Sequence, residues 1–171
     1  MSAPGILPAV SPAAPGDAPR TRRLTLFLYW GSLAVGVLLP LGMQVGIEIW
    51  RRKTPLTVYF EGVYVRLFMP GDGLLALTLL GAAPFAIHAI FALIHLGTAP
   101  RRGALVARRR GFALLLAFAA MVAVSAWGHH AILTAKGSTA GIGFIFLPFY
   151  VLFALPVAYG IGRWIARRLM Q

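Results

Sequence analysis

The chain has no cysteine. That removes thiol–disulfide exchange, cysteine-ligated iron–sulfur clusters and cysteine-ligated zinc from the chemistry open to it. Small four-helix, quinone-linked enzymes that form disulfides are excluded by the same count. Acids are nearly as scarce. Asp17, Glu48, Glu61 and Asp72 stand against 16 lysines and arginines, and only Lys53 and Lys136 of those are lysine. No paired-carboxylate site, Ser/His/Asp arrangement, phosphate-binding loop or His-x-x-x-His zinc spacing is present. The sequence therefore carries no motif that names a reaction, and the expectation is a protein that is not an enzyme and holds no cofactor or metal.

What the chain has in abundance is apolar length. Of its 171 residues, 59% are hydrophobic, and the mean hydropathy is +0.80. Four stretches, Leu24–Ile49, Leu74–Gly97, Gly111–Leu133 and Ala140–Gly162, are each bounded by polar or basic residues. Each reaches the ~20 residues that a helix needs to cross ~30 Å of hydrocarbon. The expected fold is an all-α integral membrane protein of four transmembrane helices, in one domain over 24–171. Too little chain remains between the spans for a soluble core. Residues 1–23, rich in Ala and Pro before the first arginines, read as a flexible tail. The first apolar run exceeds the 7–15 residues of a signal-peptide core and lacks a clean cleavage signal, so it reads as a retained helix.

Arginine sets the expected topology. Arg20, Arg22, Arg23, Arg101, Arg102, Arg108, Arg109, Arg110, Arg163, Arg167 and Arg168 fall on one side of the four crossings. Arg51, Arg52, Lys53, Arg66 and Lys136 fall on the other. The positive-inside rule places both termini and the 98–110 connection in the cytoplasm, in a bacterial inner membrane. The net charge of +12 accordingly reflects topology and contact with anionic headgroups, and nucleic acid is not an expected partner.

Within the spans, small and polar residues recur at helical spacing. Thr25, Tyr29, Ser32 and Gly36 share a face of the first helix, and Gly42 and Gly46 form a small-xxx-small pair beyond Pro40, which should kink the helix. In the second helix Leu74, Thr78, Gly81, Phe85, His88, Ala92 and His95 form a seam of period 3.5 that should face a neighbour. Pro70-Gly71-Asp72-Gly73 breaks the chain before it, with Asp72 placed to cap the helix. In the third helix Ala119, Ala123, Ala126 and His130 make the expected inner stripe, with Ser125 and His129 beside it. Thr78, His88, His95 and His130 are thus the expected intramembrane polar seam. The fourth helix contains Pro148 and Pro156 and opens after Lys136, with Ser138 or Thr139 as its cap; Lys136, Ser138 and Thr139 are also the residues that could hold an anion or a lipid headgroup.

Histidines in a membrane raise the question of haem or metal. His88 and His95 are two turns apart on one helix, ~10 Å, and His129 and His130 should lie roughly 15–20 Å from His88 in depth. Such spacing suits hydrogen bonds to backbone and hydroxyl groups better than ligation of one centre. Glu48 lies at the outer end of its helix beside Trp50 and Arg51, and reads as a hydrated interfacial acid, not a coupling carboxylate.

The connection Arg51–Gly73 is the one patterned segment outside the spans. Leu56–Phe60 and Val63–Leu67 are β-branched and aromatic and flank Glu61-Gly62, a pattern that reads as a short periplasmic hairpin. A segment held in the interface by its aromatics is the competing reading. Tyr59, Phe60, Glu61, Tyr64 and Arg66 are the expected partner-binding residues, since aromatics beside arginine are enriched in interfaces. The expected function is a non-catalytic accessory protein that binds or stabilises another membrane or periplasmic protein: an assembly factor, a small subunit, or an immunity protein against a membrane-directed toxin. The alternative is a homo-oligomeric small transporter or channel.

Overall fold

The computed structural model describes residues 17–68, 74–99, 103–135 and 140–170. Five α-helices follow in order: α1 (Asp17–Gly46), α2 (Leu56–Phe68), α3 (Leu74–Gly97), α4 (Ala104–Thr134) and α5 (Ala140–Leu169). A five-residue π-helical turn, Ile47–Arg51, ends α1. Helices α1, α3, α4 and α5 are each long and apolar enough to cross a membrane. The protein is therefore a four-helix, all-α, multi-pass membrane bundle with one short extra helix.

The four spans form a square. The two largest interfaces join α4 to α5 and α1 to α3, and smaller ones join α1 to α4 and α3 to α5. The bundle is thus a pair of helical hairpins laid side by side. Phe85, Ala117, Met121, Leu147, Val151, Leu155 and Ala158 fill one half of the interior, and Leu28, Ala92, Leu96 and Leu114 fill the other. Large side chains such as Phe27, Trp30, Leu38, Trp127, Phe149 and Phe153 point outward, where lipid solvates them. Close approach of the backbones depends on two glycines. A Cβ on Gly36 would lie 2.9 Å from the Phe85 Cβ, and one on Gly162 would lie 2.8 Å from the Ala113 Cα.

Three expectations are corrected. The segment expected as a hairpin is the helix α2. Its aromatic and β-branched residues carry no sheet to pair with, and a lone two-stranded hairpin is marginal at best; a continuous helix pairs the backbone groups of its middle turns from within, and only its ends need other partners. The spans are also longer than their apolar cores. α1 starts at Asp17, so residues 17–23 of the expected tail are its first turns, while α4 starts at Ala104 and α5 ends at Leu169. Arginine is a good helix former whose long stem lets its charge reach water, so the helices continue through the basic runs.

Helix α4 turns a different face inward from the one expected. Its inner face is Ala107, Arg110, Gly111, Ala113, Leu114, Ala117, Met121, Ser125, Gly128 and His129. Ala119, Ala123 and His130 lie exposed on the opposite side. His130 therefore leaves the intramembrane seam and His129 takes the interior position. The prolines at 40, 84, 148 and 156 all lie inside continuous helices.

Candidate functional site

The interior polar groups are arranged at three depths. Nearest the arginine-rich end, His95 Nδ1 donates to the Phe91 carbonyl at 3.0 Å, one turn back on α3. The last carbonyls of a helix have no partner within it. Here Arg110 of α4 supplies one: its NH1 donates to the His95 carbonyl at 3.1 Å and to Thr98 Oγ1 at 3.3 Å. Arg110 is only 8% exposed, and its Nε is buried with no hydrogen-bond partner among the described residues. The ring of Tyr159 from α5 closes the layer, edge-on to both Phe91 and His95.

The middle layer joins three helices through one side chain. His88 is fully buried. Its Nε2 lies 3.3 Å from the Leu114 carbonyl of α4, which can only accept, so Nε2 carries the proton. Its Nδ1, left as an acceptor, lies 2.8 Å from Ser32 Oγ of α1, and the Leu28 carbonyl lies 2.5 Å from the same oxygen, so the two acceptors share one hydroxyl proton. Phe118 stacks on the imidazole at 5.6 Å between centroids. Both ring nitrogens are occupied by protein groups, which leaves none for a ligand.

The third layer borders open space. His129 Nδ1 donates to the Ser125 carbonyl at 2.8 Å, which leaves Nε2 as the acceptor of that ring. A cavity of about 110 Å³ lies beside it, lined by Pro40, Gln44, Thr78, His129, Leu133 and Phe144. Its polar edge comes from Gln44, Thr78 and His129, contributed by three different helices. Among the described residues no group of three or more His, Cys, Asp or Glu is placed to hold a metal ion.

The remaining expected site residues are dispersed. Tyr59 packs inward at 7% exposed with its ring edge-on to Phe60, while Phe60 and Glu61 face outward. Tyr64 and Arg66 lie on α2, but their side chains fall outside the described residues, as do Lys136, Ser138 and Thr139 altogether. Glu48 sits in the π-helical turn, ion-paired with Arg52 at 2.5 Å and accepting from Thr54 Oγ1 at 3.3 Å. It ties off the end of α1.

One feature was legible in part. Gly42 and Gly46 mark a small-residue pair, but spacing alone does not say which way the pair faces. In the structure Ala34, Leu38, Gly42 and Gly46, four residues apart, all lie exposed. A Cβ added to either glycine would meet nothing within 4 Å. An apolar groove of about 340 Å³ runs along this face between α1 and Val122 of α4. The bundle uses Gly36 for its own packing and leaves this pair unused.

The chain matches no known protein family, no curated protein and no solved structure.

Proposed function

We propose that this is a non-catalytic accessory protein of a bacterial inner membrane that binds and stabilises a partner membrane protein. The partner would lay an apolar transmembrane helix into the groove along Ala34, Leu38 and Gly42 and continue over the exposed Gly46. The observation that carries this reading is the open space at Gly42 and Gly46 on the surface of α1. Lipid gives helices no hydrophobic reason to associate, so association relies on close packing, and exposed glycines permit the closest approach. The surrounding groove, lined by Ala34, Val35, Leu38, Leu39, Gly42 and Met43 with Val122, is apolar throughout, which suits an apolar helix and offers nothing to a polar substrate. The arginine asymmetry supports cytoplasmic termini for the same protein.

Site-specific photocrosslinking in native membranes tests the proposal. A photoreactive residue at Leu38 should give a discrete adduct with a different protein, and one at Phe153, equally exposed on α5, should not. Gly42→Leu should abolish the adduct and lower the amount of the crosslinked protein in the membrane. An adduct at twice the mass of the chain would instead support the homo-oligomeric transporter or channel. Adducts with lipid alone would refute both.

A further inference from the structure

The opposite end of the bundle carries a second feature, independent of the groove. The start of α1, the start of α4 and the end of α5 meet there, and Arg109 of α4 is hydrogen-bonded to the Met170 carbonyl. Nine described arginines gather at this end: Arg20, Arg22, Arg23, Arg108, Arg109, Arg110, Arg163, Arg167 and Arg168. The single ion pair among the described residues, Arg52 with Glu48, is at the other end. Several of the nine have partners within the protein. Arg109 holds Met170, Arg110 holds His95 and Thr98, and Arg163 and Arg168 stand over the rings of Tyr159 and Trp164.

Arg20 and Arg108 have no such partner among the described residues, and they line one cleft. It lies between α1 and α4, has a volume of about 110 Å³, and is completed by Thr21, Leu24, Ala104 and Ala107. We infer that this cleft binds the phosphate of an anionic phospholipid, held between the guanidinium groups of Arg20 and Arg108. Guanidinium groups match phosphate oxygens in geometry and in charge. Ala104 and Ala107 leave the room between the helices that a larger side chain would fill. Leu24 lies one turn below Arg20 and begins the apolar surface along which acyl chains would run. Basic pockets between helices at the cytoplasmic face are known to take anionic lipid headgroups. The backbone adds to the attraction: Gly103, the residue before α4, gives no side-chain cap, and the first turn of α4 holds no acid, so that turn does nothing to offset the positive end of the helix dipole.

Native mass spectrometry of the full chain, delipidated and then given phosphatidylglycerol or phosphatidylcholine, tests this. One phosphatidylglycerol should be retained in preference to phosphatidylcholine. The double variant Arg20→Gln/Arg108→Gln should lose retention roughly 30-fold, the effect of two arginines each acting as one charge near anionic lipid. Arg22→Gln/Arg167→Gln removes the same charge from the same end without touching the cleft, and should retain the lipid. Equal behaviour of the two double variants would overturn the assignment, because attraction would then be spread over the whole basic end. Displacement of the lipid by millimolar inorganic phosphate would assign the cleft to a free anion and overturn the lipid reading.

Discussion

His88 shows how much one side chain can decide inside a bilayer. It contacts Ser32 on α1 and Leu114 on α4 while belonging to α3, so it fixes the rotation of three helices at one depth. Hydrogen bonds between membrane helices average ~0.6 kcal/mol and reach ~1.7 at most. His88→Leu keeps the volume and removes both bonds, and should lower stability by about 1 kcal/mol in reversible unfolding from detergent or bicelles. If stability holds while activity is lost, His88 is a functional group and the packing account fails. Arg110 brings a buried charge to the end of α3. Arg110→Met keeps the stem and loses the bonds to His95 and Thr98. It should leave the last turn of α3 less protected in amide exchange, with α4 unchanged.

At the scale of the element, the glycines of α1 divide into two kinds with opposite expected signs. Gly36→Ala forces a Cβ to within 2.9 Å of Phe85 and 3.4 Å of the Ala82 backbone, and should destabilise the bundle by about 1–3 kcal/mol as overpacking does. Gly42→Ala meets nothing within 4 Å and should be neutral or stabilising by up to ~1 kcal/mol, because alanine is the better helix former. Thermal unfolding of the two variants side by side separates these outcomes. The same comparison shows what a sequence reveals about such elements. The four spans were legible because apolar length is a one-dimensional signal. The direction each face points was not, because alanine serves equally well against lipid and against a neighbouring helix, as at Ala119 and Ala123. His129 and His130 are adjacent in sequence and about 100° apart around the helix, so no stripe of alanines could decide between them. α2 was misread because Val58, Tyr59, Val63 and Val65 favour strands, and β-propensity expresses a fit to neighbouring strands that this segment does not have. Of the candidate site, the glycine pair was visible in the sequence, while the cavity beside His129 depends on three helices meeting and was not.

At the scale of the molecule, the even number of crossings puts the start of α1 and the end of α5 at the same end, next to the start of α4. Reporter fusions after Gln171 and in the α3–α4 connection should score cytoplasmic, and one between Arg52 and Pro55 should score periplasmic, on the positive-inside rule. A periplasmic C-terminus would invert the whole arrangement. The helices also overhang the membrane. α4 has 31 residues and α5 has 30, about 45 Å each, against ~30 Å of hydrocarbon. The basic runs of α4 and α5 lie at one end of that surplus, and charged residues there belong in the headgroup layer and beyond it.

The pairing of α1 with α3 and of α4 with α5 carries one more consequence, for how the protein comes into being. Each hairpin can enter the bilayer as a finished unit, with its largest interface already made. Between the two hairpins, polar contacts include His88 with Leu114 and Arg110 with His95 and Thr98. Two separately translated pieces, divided in the α3–α4 connection, should therefore find each other in the membrane and rebuild the intact bundle. Co-expression of 1–100 with 101–171, followed by affinity capture of one piece, should recover the other. His88→Leu combined with Arg110→Met should weaken that recovery far more than it weakens the uncut chain, where the connection itself keeps the halves together.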